Sequence, residues 1–395
     1  MSHLTDKASL SIRTQHPSVL REMLKQATLP DIISLAGGFP APESFPLKII
    51  QECVSQIMKT KGTKILQYGA TDGLAELKNA LLNLRRIDLG DTVSFESIQI
   101  TTGSQQALDL IAKSFIDKND KIAVELPTYL GALQAFDFYK PRYFNLEVDE
   151  EGPTPESIKK ALHTHVKFIY LVTDFANPSG STISLKRRKE IASLAKKYNG
   201  LIIEDSPYRD LRYKGEHIPP LFSFAPHNSI YLGSFSKILA PGLRLGYAVG
   251  NPNLIRFITI AKQGADLFTS GFDQAIATEY ITSGALKNHI PKIVSLYRPR
   301  LEAMLDALDT FFPKDSHWTR PEGGMFVWAT LPEQIDASEL LKKTLLRKVA
   351  FVPGKPFFPP SVKPKIGLNT MRLNFTNTAP EIIRKAIKVI AEEMS

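Results

Sequence analysis

The chain has a single cysteine, Cys53, among 395 residues. One cysteine excludes an internal disulfide framework and a cysteine-rich metal site, and we expect no metal. Cys53 falls in an apolar helical pattern, so we expect it in the core. No apolar run approaches the roughly 18 residues that a membrane-spanning helix needs. Residues 1–7 are not followed by a long apolar stretch, so we expect no signal peptide. The default expectation is a cytoplasmic protein with no membrane contact.

Charge is not concentrated anywhere in the chain. Forty-nine Lys and Arg against 40 Asp and Glu leave a net charge of +9, but the basic residues are spread along the sequence. A spread positive charge does not favour nucleic-acid binding, whereas it suits an anionic ligand. The 43% hydrophobic and 23% charged content is that of an ordinary globular protein. We find neither an internal repeat nor a low-complexity segment.

Three regions follow from the pattern along the chain. Residues 1–45 are predicted to form an N-terminal arm, residues 46–290 a large domain and residues 291–395 a small C-terminal domain. In the arm, Ser18 is a candidate cap for a helix with Arg21 in its first turn. The helix dipole opposes a basic residue there, so Arg21 is not placed for helix stability.

The large region alternates helical patterns with short apolar strands. Continuous apolar strands separated by helices indicate an α/β fold with a mostly parallel sheet covered on both faces. A long helix predicted over 293–311 leads into two further strands, which indicates a smaller α+β unit. The predicted strands are 97–102, 121–125, 168–172, 201–204 and 229–232 in the large region, and 325–329 and 371–375 in the small one.

The most informative segment is the run from Gly233 to Arg244, which contains Ser234, Ser236 and Lys237. Hydroxyls together with a guanidinium make a seat for a phosphate group. A lysine within reach of that seat can form a Schiff base with an aldehyde whose phosphate is anchored beside it. Pyridoxal 5'-phosphate (PLP) is the cofactor that fits.

Other polar residues follow the ends of predicted strands, and that edge of an open α/β sheet is where ligands bind. Ser104 and Gln105 begin a predicted helix after a glycine turn. The N-terminus of this helix either binds an anion or is an ordinary strand-to-helix turn. The turn lacks both the dinucleotide and the nucleotide phosphate-loop spacings. Asn177 lies in an Asn-Pro-x-Gly turn, which binds a cofactor oxygen or is purely structural. Asp205 ends an apolar strand, where a carboxylate needs a partner such as a protonated pyridine nitrogen.

With these motifs, the chain resembles fold-type I PLP-dependent aminotransferases of class I/II. The similarity is closest to the branch of α-aminoadipate and kynurenine aminotransferases and the aminotransferase-like half of certain bacterial regulators. It extends from Ser18 to Arg372. The motifs that carry it are Asn177-Pro178-Ser179-Gly180, Asp205-Ser206-Pro207-Tyr208, Ser234-Phe235-Ser236-Lys237 and Arg372.

The resemblance implies a role for each matching residue. Lys237 would hold PLP and move the substrate proton, and Asp205 would pair with the pyridine nitrogen. Asn177 and Tyr208 would bond the phenolic oxygen, and Arg372 would clamp the substrate carboxylate. The phosphate would be held by Ser104, Gln105, Ser234, Ser236 and Arg244.

Four further positions follow from the same resemblance. Tyr129 would stack on the cofactor ring, or is a plain core aromatic. Tyr68 would reach the phosphate of a partner subunit, which implies a homodimer with active sites at the interface. Arg21 would meet a distal substrate carboxylate, or only ties down the arm. Gly38 would let the backbone pass close to the substrate.

The implied reaction is a ping-pong transamination. An L-amino acid (2-aminoadipate, aromatic or branched/aliphatic) would pass its amino group to a 2-oxo acid such as 2-oxoglutarate. A β-lyase or decarboxylase on the same fold would keep Lys237, Asp205 and Arg372. A PLP-binding regulator would need a DNA-binding domain, for which the roughly 45 residues before the large region are too few.

Overall fold

The computed structural model describes residues 7–13 and 31–394. The predicted helix with Ser18 and Arg21 lies outside the described residues. The strands are β1 (Ile33–Ser34), β2 (Ile98–Thr101), β3 (Lys121–Val124), β4 (Arg142–Asn145), β5 (Val148–Asp149), β6 (Gly152–Pro153), β7 (Ile169–Val172), β8 (Ile202–Asp205), β9 (Ser229–Ser234), β10 (Gly246–Gly250), β11 (His317–Trp318), β12 (Phe326–Thr330), β13 (Val349–Ala350), β14 (Val352–Pro353) and β15 (Thr370–Asn374).

Helices connect most of these strands, as the alternating pattern predicts. They are α1 (Leu10–Arg13), α2 (Leu47–Ile65), α3 (Ala75–Leu89), α4 (Ser104–Phe115), α5 (Leu130–Asp137), α6 (Pro155–His163), α7 (Leu185–Lys197), α8 (Leu221–Phe224), α9 (Pro252–Gln263), α10 (Gly271–Thr282), α11 (Ala285–Phe311), α12 (Ala337–Leu346) and α13 (Pro380–Glu392), with short 3-10 turns at Pro42–Ser44, Phe95–Ser97, Pro226–Asn228, Pro241–Leu243 and Lys355–Phe357.

The largest sheet has seven strands in the order β2-β10-β9-β8-β7-β3-β4. Strands β9, β8, β7, β3 and β4 run parallel, and β10 is antiparallel to both of its neighbours. The predicted mostly parallel sheet flanked by helices is therefore confirmed. Prediction missed β4 and β10. Strand β4 is a half-buried edge strand and β10 begins and ends with glycine, so neither shows the continuous apolar run that marks the other strands.

Both faces of this sheet are covered. In β7, Tyr170 and Val172 belong to one buried apolar cluster, while Ile169 and Leu171 belong to another. Successive side chains of a strand point to opposite faces, so one four-residue strand serves two cores. Cys53 is buried in a third cluster with α3 and α10, as its helical pattern predicts.

A second sheet of four antiparallel strands, in the order β11-β12-β15-β14, lies in the C-terminal part. Helix α11 begins at Ala285, earlier than the predicted 293, and continues through two prolines. Helix α13 buries Ile383, Ile387 and Ile390 on one face, the spacing of an amphipathic helix, and these side chains join the core of this sheet.

Strand direction decides where the polar loops meet. Because β10 is antiparallel to both β2 and β9, β2 points the same way as the parallel strands. The carboxyl ends of β2, β7, β8 and β9 therefore share one edge of the sheet. In the described part of the chain, no helix is long and apolar enough to cross a membrane, and no group of His, Cys, Asp and Glu side chains is arranged to hold a metal ion.

Candidate active site

A cavity of about 630 Å³ opens at this edge of the large sheet and is also lined by β12 and β15 residues of the small sheet. Its size is within the usual range for small-molecule sites. Twelve of the residues predicted from sequence line it together: Gly38, Ser104, Gln105, Tyr129, Asn177, Asp205, Tyr208, Ser234, Ser236, Lys237, Arg244 and Arg372.

Lys237 follows the end of β9, in the loop between β9 and β10. Its Nζ donates to the carbonyl oxygen of Gly38 at 2.8 Å, and the Tyr280 hydroxyl donates to the carbonyl oxygen of the next residue, Ile238, at 2.8 Å. Burial, with the charges of Arg372 and Arg244, lowers the pKa of Lys237 from 10.5 to about 8. A buried amine near other cations holds its proton weakly, so this lysine is poised to act as a neutral nucleophile or base.

Asp205 is the last residue of β8 and is almost fully buried. Its Oδ2 accepts a hydrogen bond from the Tyr170 hydroxyl at 2.8 Å, while its Oδ1 has no hydrogen-bond partner among the described residues. Burial raises the pKa of the carboxyl to about 7, against the lowering effect of the Tyr170 bond. A buried acceptor without a partner is costly, and it marks the place where a cationic N–H donor would be stabilised.

The neighbouring carboxylate, Glu204, has a different environment. It accepts hydrogen bonds from the backbone N–H groups of Leu221 and Phe222 at 2.9 and 2.7 Å, and from the Thr173 hydroxyl at 2.8 Å. Glu204 is therefore used to hold loops together and does not line the cavity. In the sequence, Glu204 and Asp205 are adjacent acidic residues. Because successive side chains of a strand point to opposite faces of the sheet, the two carboxylates have different surroundings.

Arg372 reaches the cavity from β15. Its Nη1 donates to Oδ1 of Asn177 at 2.9 Å and its Nη2 donates to the carbonyl oxygen of Ala36 at 2.7 Å, while its Nε has no partner in residues 7–13 and 31–394. The guanidinium lies 4.3 Å from the ring centre of Phe326 and 5.1 Å from that of Phe357. Burial lowers the pKa of Arg372 to about 10. The buried guanidinium of Arg372 can therefore bind a carboxylate group.

A second cationic region forms around the start of α4. Gly103 has φ +79°, and a Cβ there would lie 2.6 Å from Nη2 of Arg244, so a side chain at this position would be strained and would push the guanidinium aside. Ser234 and Ser236 lie beside it, with the Ser236 N–H donating to the Ser234 hydroxyl at 3.1 Å. Serine hydroxyls, a guanidinium and the N-terminus of a 12-residue helix together suit a phosphate group.

Two tyrosines complete the cavity wall. The Tyr129 hydroxyl donates to Oε1 of Gln105 at 3.4 Å, and burial raises its pKa to about 12. Tyr208 interacts with the Asn177 side chain, and burial raises its pKa well above the usual value. The Tyr208 ring packs edge-on against Phe326, with ring centres 5.8 Å apart. Both phenols therefore stay protonated as hydrogen-bond donors.

Of the two remaining predicted residues, only Tyr68 is described, and it does not line the cavity of its own chain. Tyr68 is 79% exposed and packs only edge-on against Phe268, with ring centres 5.8 Å apart. Arg21 lies outside the described residues.

Comparison with known proteins identifies the family. The model of the family "Aminotransferase class I and II" matches residues 30–390. The chain belongs to this family. It is 47% identical over 383 residues to the aromatic-amino-acid aminotransferase 1 of Thermococcus litoralis, covering 95% of this chain and 91% of that one.

Two further class I and II aminotransferases are similar over almost the whole length. The 2-aminoadipate transaminase of Thermus thermophilus is 39% identical over 376 residues, covering 94% of this chain and 92% of that one. The kynurenine aminotransferase of Pyrococcus horikoshii, solved in complex with PMP, superposes with a TM-score of 0.94 at 42% identity and covers 100% of this chain and 98% of that one. The chain is an aminotransferase whose cofactor is PLP, and this reading stands over a lyase, a decarboxylase or a regulator.

The cavity fits this cofactor. The unpaired Oδ1 of buried Asp205 needs a donor such as the protonated ring nitrogen, and Arg244 with the two serines offers donors to a phosphate. Three residues that sequence reasoning missed support these groups, two of them from the cavity wall and one from behind it. Tyr170 bonds Asp205, and Phe326 and Phe357 flank Arg372. All three lie in or beside apolar runs, where an aromatic side chain gives no local signal of a binding role.

Proposed function

We propose that this aminotransferase binds its cofactor through the residues that line the cavity. Lys237 holds the cofactor aldehyde, and Asp205 pairs with the ring nitrogen. Asn177 and Tyr208 donate to the phenolic oxygen, and Tyr129 stacks on the ring. The phosphate is held by Ser104, Gln105, Ser234, Ser236 and Arg244. The supporting observation is that the unpaired Asp205 Oδ1, the depressed pKa of Lys237 and the cation at Arg244 all face one cavity.

Each cavity residue has a separate task in the proposed reaction. When bound, the cofactor supplies an electron sink for the electrons of the broken Cα–H bond of the substrate. Arg372 binds the substrate carboxylate and so fixes the orientation of the α-carbon. Lys237 takes the proton from that carbon and would deliver it to the C4′ carbon of the bound cofactor, because its pKa of about 8 lets the amine exist neutral near physiological pH. Asp205 keeps its negative charge opposite the ring nitrogen.

For the substrate we propose an L-amino acid with an aromatic side chain as donor and 2-oxoglutarate as acceptor, in a ping-pong cycle. The cavity carries a large apolar wall, formed by Phe39, Pro40, Leu130, Phe326 and Phe357. Its cations among the described residues are Lys237, Arg244 and Arg372, each already given a task. An uncharged ring therefore suits the rest of the space, and the name of the Thermococcus litoralis relative agrees with this.

A second donor, 2-aminoadipate, rests on Arg21, whereas branched or aliphatic donors such as leucine carry no distal carboxylate for it to bind. This residue follows Ser18 in the Ser-x-x-Arg pattern, and the Thermus thermophilus relative is named for 2-aminoadipate. Arg21→Ala assayed with 2-aminoadipate and leucine side by side separates the roles. A selective loss with 2-aminoadipate supports recognition of the distal carboxylate, and equal losses remove it.

The test of the substrate proposal is a comparison of kcat/KM for single donors with 2-oxoglutarate. Phenylalanine and tyrosine should exceed leucine and 2-aminoadipate by at least about tenfold, a difference of about 1.4 kcal/mol in transition-state binding. One new 2-oxo acid should form for each glutamate. A clear preference for 2-aminoadipate would contradict the aromatic assignment, and an oxo acid without glutamate would contradict the reaction.

We also propose a homodimer in which Tyr68 completes the partner's phosphate site. The support is that Tyr68 is exposed in the single chain and does not line its own cavity. Mixing Tyr68→Ala with Lys237→Ala subunits should restore activity, because one site of each mixed dimer keeps both residues. Absence of restored activity in verified mixed dimers would contradict the shared site.

We also propose that the chain is divided into three parts: an arm (1–45), a large cofactor-binding domain (46–290) and a small domain (291–395). A cytoplasmic location is a further part of the proposal. The observation that supports the division is that the four-stranded sheet has a buried cluster different from those of the seven-stranded sheet, which residues of the arm and of the loops after β7 and β8 also join. The single buried Cys53 suits a reducing compartment. Residue 290 lies inside α11, so hydrogen exchange along the chain, and not proteolysis at this boundary, tests whether the two proposed domains unfold as separate units. Cell fractionation tests the location.

A further inference from the structure

A cluster of buried ions lies behind the cavity and has no part in the reaction described above. Its core is the pair Asp174–Arg188, whose side chains are 2% and 0% exposed. The Arg188 Nη2 donates to Oδ1 of Asp174 at 2.8 Å, and the Arg188 Nη1 to its Oδ2 at 3.4 Å. Neither residue lines the cavity. A buried ion pair does not by itself show that a protein gains stability from it, although removing one partner leaves an uncompensated buried charge. The role of this pair is therefore argued from the other groups that it contacts.

Arg188 uses its remaining donors to join separate loops. From helix α7 it donates to the carbonyl oxygens of Ile183 at 2.9 Å, Thr173 at 2.7 Å and Pro219 at 3.1 Å. Its planar guanidinium has donors in fixed directions. The loop after β7 and the loop after β8 are therefore both fastened to one rigid group.

Asp174 makes the complementary connections. Its Oδ2 accepts from the Ser206 hydroxyl at 3.2 Å, and Arg209 lies 3.8 Å from the same oxygen. Ser206 and Arg209 flank Tyr208 on the loop after β8, and Asn177 lies three residues beyond Asp174 on the loop after β7. Both loops are therefore bonded to one cluster immediately beside the residues that line the cavity. The cluster consists of Asp174, Arg188, Ser206 and Arg209.

The two residues carried by these loops contact each other and one further site residue. The Asn177 side chain interacts with the Tyr208 hydroxyl and accepts from Arg372 at 2.9 Å. A small change in the spacing of the loops would therefore alter both hydrogen bonds proposed for the phenolic oxygen of the cofactor.

We propose that Asp174 and Arg188 are positioning residues, which hold Asn177 and Tyr208 at the separation needed to donate together to the phenolic oxygen. The inference rests on the proposed cofactor site. Hydrogen bonds to an anionic oxygen favour its deprotonated form and lower its pKa. Weakening the cluster therefore raises the pH at which the visible absorbance of the bound cofactor changes.

The experiment is a pH titration of the visible absorbance of the PLP-loaded enzyme. Arg188→Lys and Asp174→Asn should each move the midpoint to higher pH by about one unit, the equivalent of one hydrogen bond to a charged group. Arg187→Lys is the matched control, because Arg187 is the adjacent residue on α7, is also buried, and pairs with Asp149 at 2.9 Å away from the cavity. The control should keep the wild-type midpoint.

A milder pair of variants keeps the proposal testable if the charge variants fail to fold. Ser206→Ala removes only the hydroxyl bonded to Asp174, and Ser229→Ala removes a buried hydroxyl that has no hydrogen-bond partner among the residues that the structure describes. Ser206→Ala should move the midpoint in the same direction, and Ser229→Ala should not.

Two outcomes overturn the account, and they are distinct. Wild-type midpoints in Ser206→Ala and in every folded charge variant, with only a lower melting temperature, would make the cluster purely structural. No visible absorbance in the wild-type protein after incubation with PLP would instead overturn the proposed cofactor site, and this inference with it.

Discussion

Nη1 of Arg372 donates to Oδ1 of Asn177 across 2.9 Å, although the two residues are 195 positions apart in the chain. Asn177 follows β7 of the seven-stranded sheet and Arg372 lies in β15 of the four-stranded sheet. One hydrogen bond therefore joins the proposed cofactor-binding residue to the proposed substrate-binding residue. Within the described part of the chain it leaves the guanidinium oriented but without a charge partner, because its neighbours there are an amide, a backbone carbonyl and two aromatic rings.

Replacing Arg372 by lysine should weaken binding of both substrates. Lysine keeps the charge but loses the two-pronged geometry, so the KM for the amino acid and for the 2-oxo acid should rise about tenfold to a hundredfold. Steady-state kinetics measure this, with the cofactor absorbance unchanged. Arg347→Lys, which alters an exposed pair with Glu392, is the control. A KM within twofold of wild type would contradict the assigned role.

Asp205→Asn should stabilise the cofactor-free protein at pH 8. Burial raises the pKa of Asp205 from 3.8 to about 7, so the folded state binds more protons than the unfolded state between these values, and stability falls as pH rises from about 4 to 7. The amide removes this penalty, roughly 2–4 kcal/mol above pH 7, and the gain should shrink as pH falls towards 4.

Chemical denaturation of the cofactor-free protein at pH 5 and pH 8 measures the effect of Asp205→Asn. Glu204→Gln is the matched control and should destabilise the fold, because that carboxylate accepts three hydrogen bonds. In the presence of PLP, Asp205→Asn should bind the cofactor more weakly than wild type. A loss of stability at pH 8 without cofactor would contradict an unpaired buried charge.

Capture of PLP by the cofactor-free protein should depend on pH with a midpoint near 8. The neutral amine is the nucleophile, and the pKa of Lys237 is lowered to about 8 by burial and by Arg372 and Arg244. Stopped-flow absorbance gives the rate at each pH. Arg372→Leu should move the midpoint upwards, because it removes one of the two charges. A midpoint near 10.5 in the wild type would show an ordinary, solvated lysine.

Gly103→Ala should weaken PLP binding by at least about tenfold, because the new methyl group would lie 2.6 Å from Nη2 of Arg244 and displace the guanidinium. Part of any effect is backbone strain at positive φ, which costs about 1–3 kcal/mol. Gly90→Ala provides the same strain without a contact, since Gly90 has φ +87° and ψ 169° and open space around its Cα. Equal cofactor affinity in the two variants would contradict a steric role for position 103.

Sequence patterns predicted the parts of this protein that depend on local chemistry. The apolar run 168–172 marks β7, and the polar residues predicted after β7, β8 and β9 line one cavity because parallel strands end at one edge. Strand β10 was missed because its sequence has no continuous apolar run, and only its hydrogen-bonded pairing with β2 and β9 identifies it as a strand. Tyr170, Asp174 and Arg188 were missed as well, since their partners are distant in sequence or belong to other loops and only the folded chain brings them together.

The central claim is that Lys237 carries the cofactor, and the most direct test is chemical. Borohydride reduction of the PLP-loaded enzyme fixes the cofactor to the amine that holds it, and peptide mass spectrometry then locates the modification. The account predicts one phosphopyridoxyl group per chain, on the peptide containing Lys237, with none on Lys237→Ala. Modification of another lysine at this stoichiometry, or persistence of the label in the variant, would contradict it.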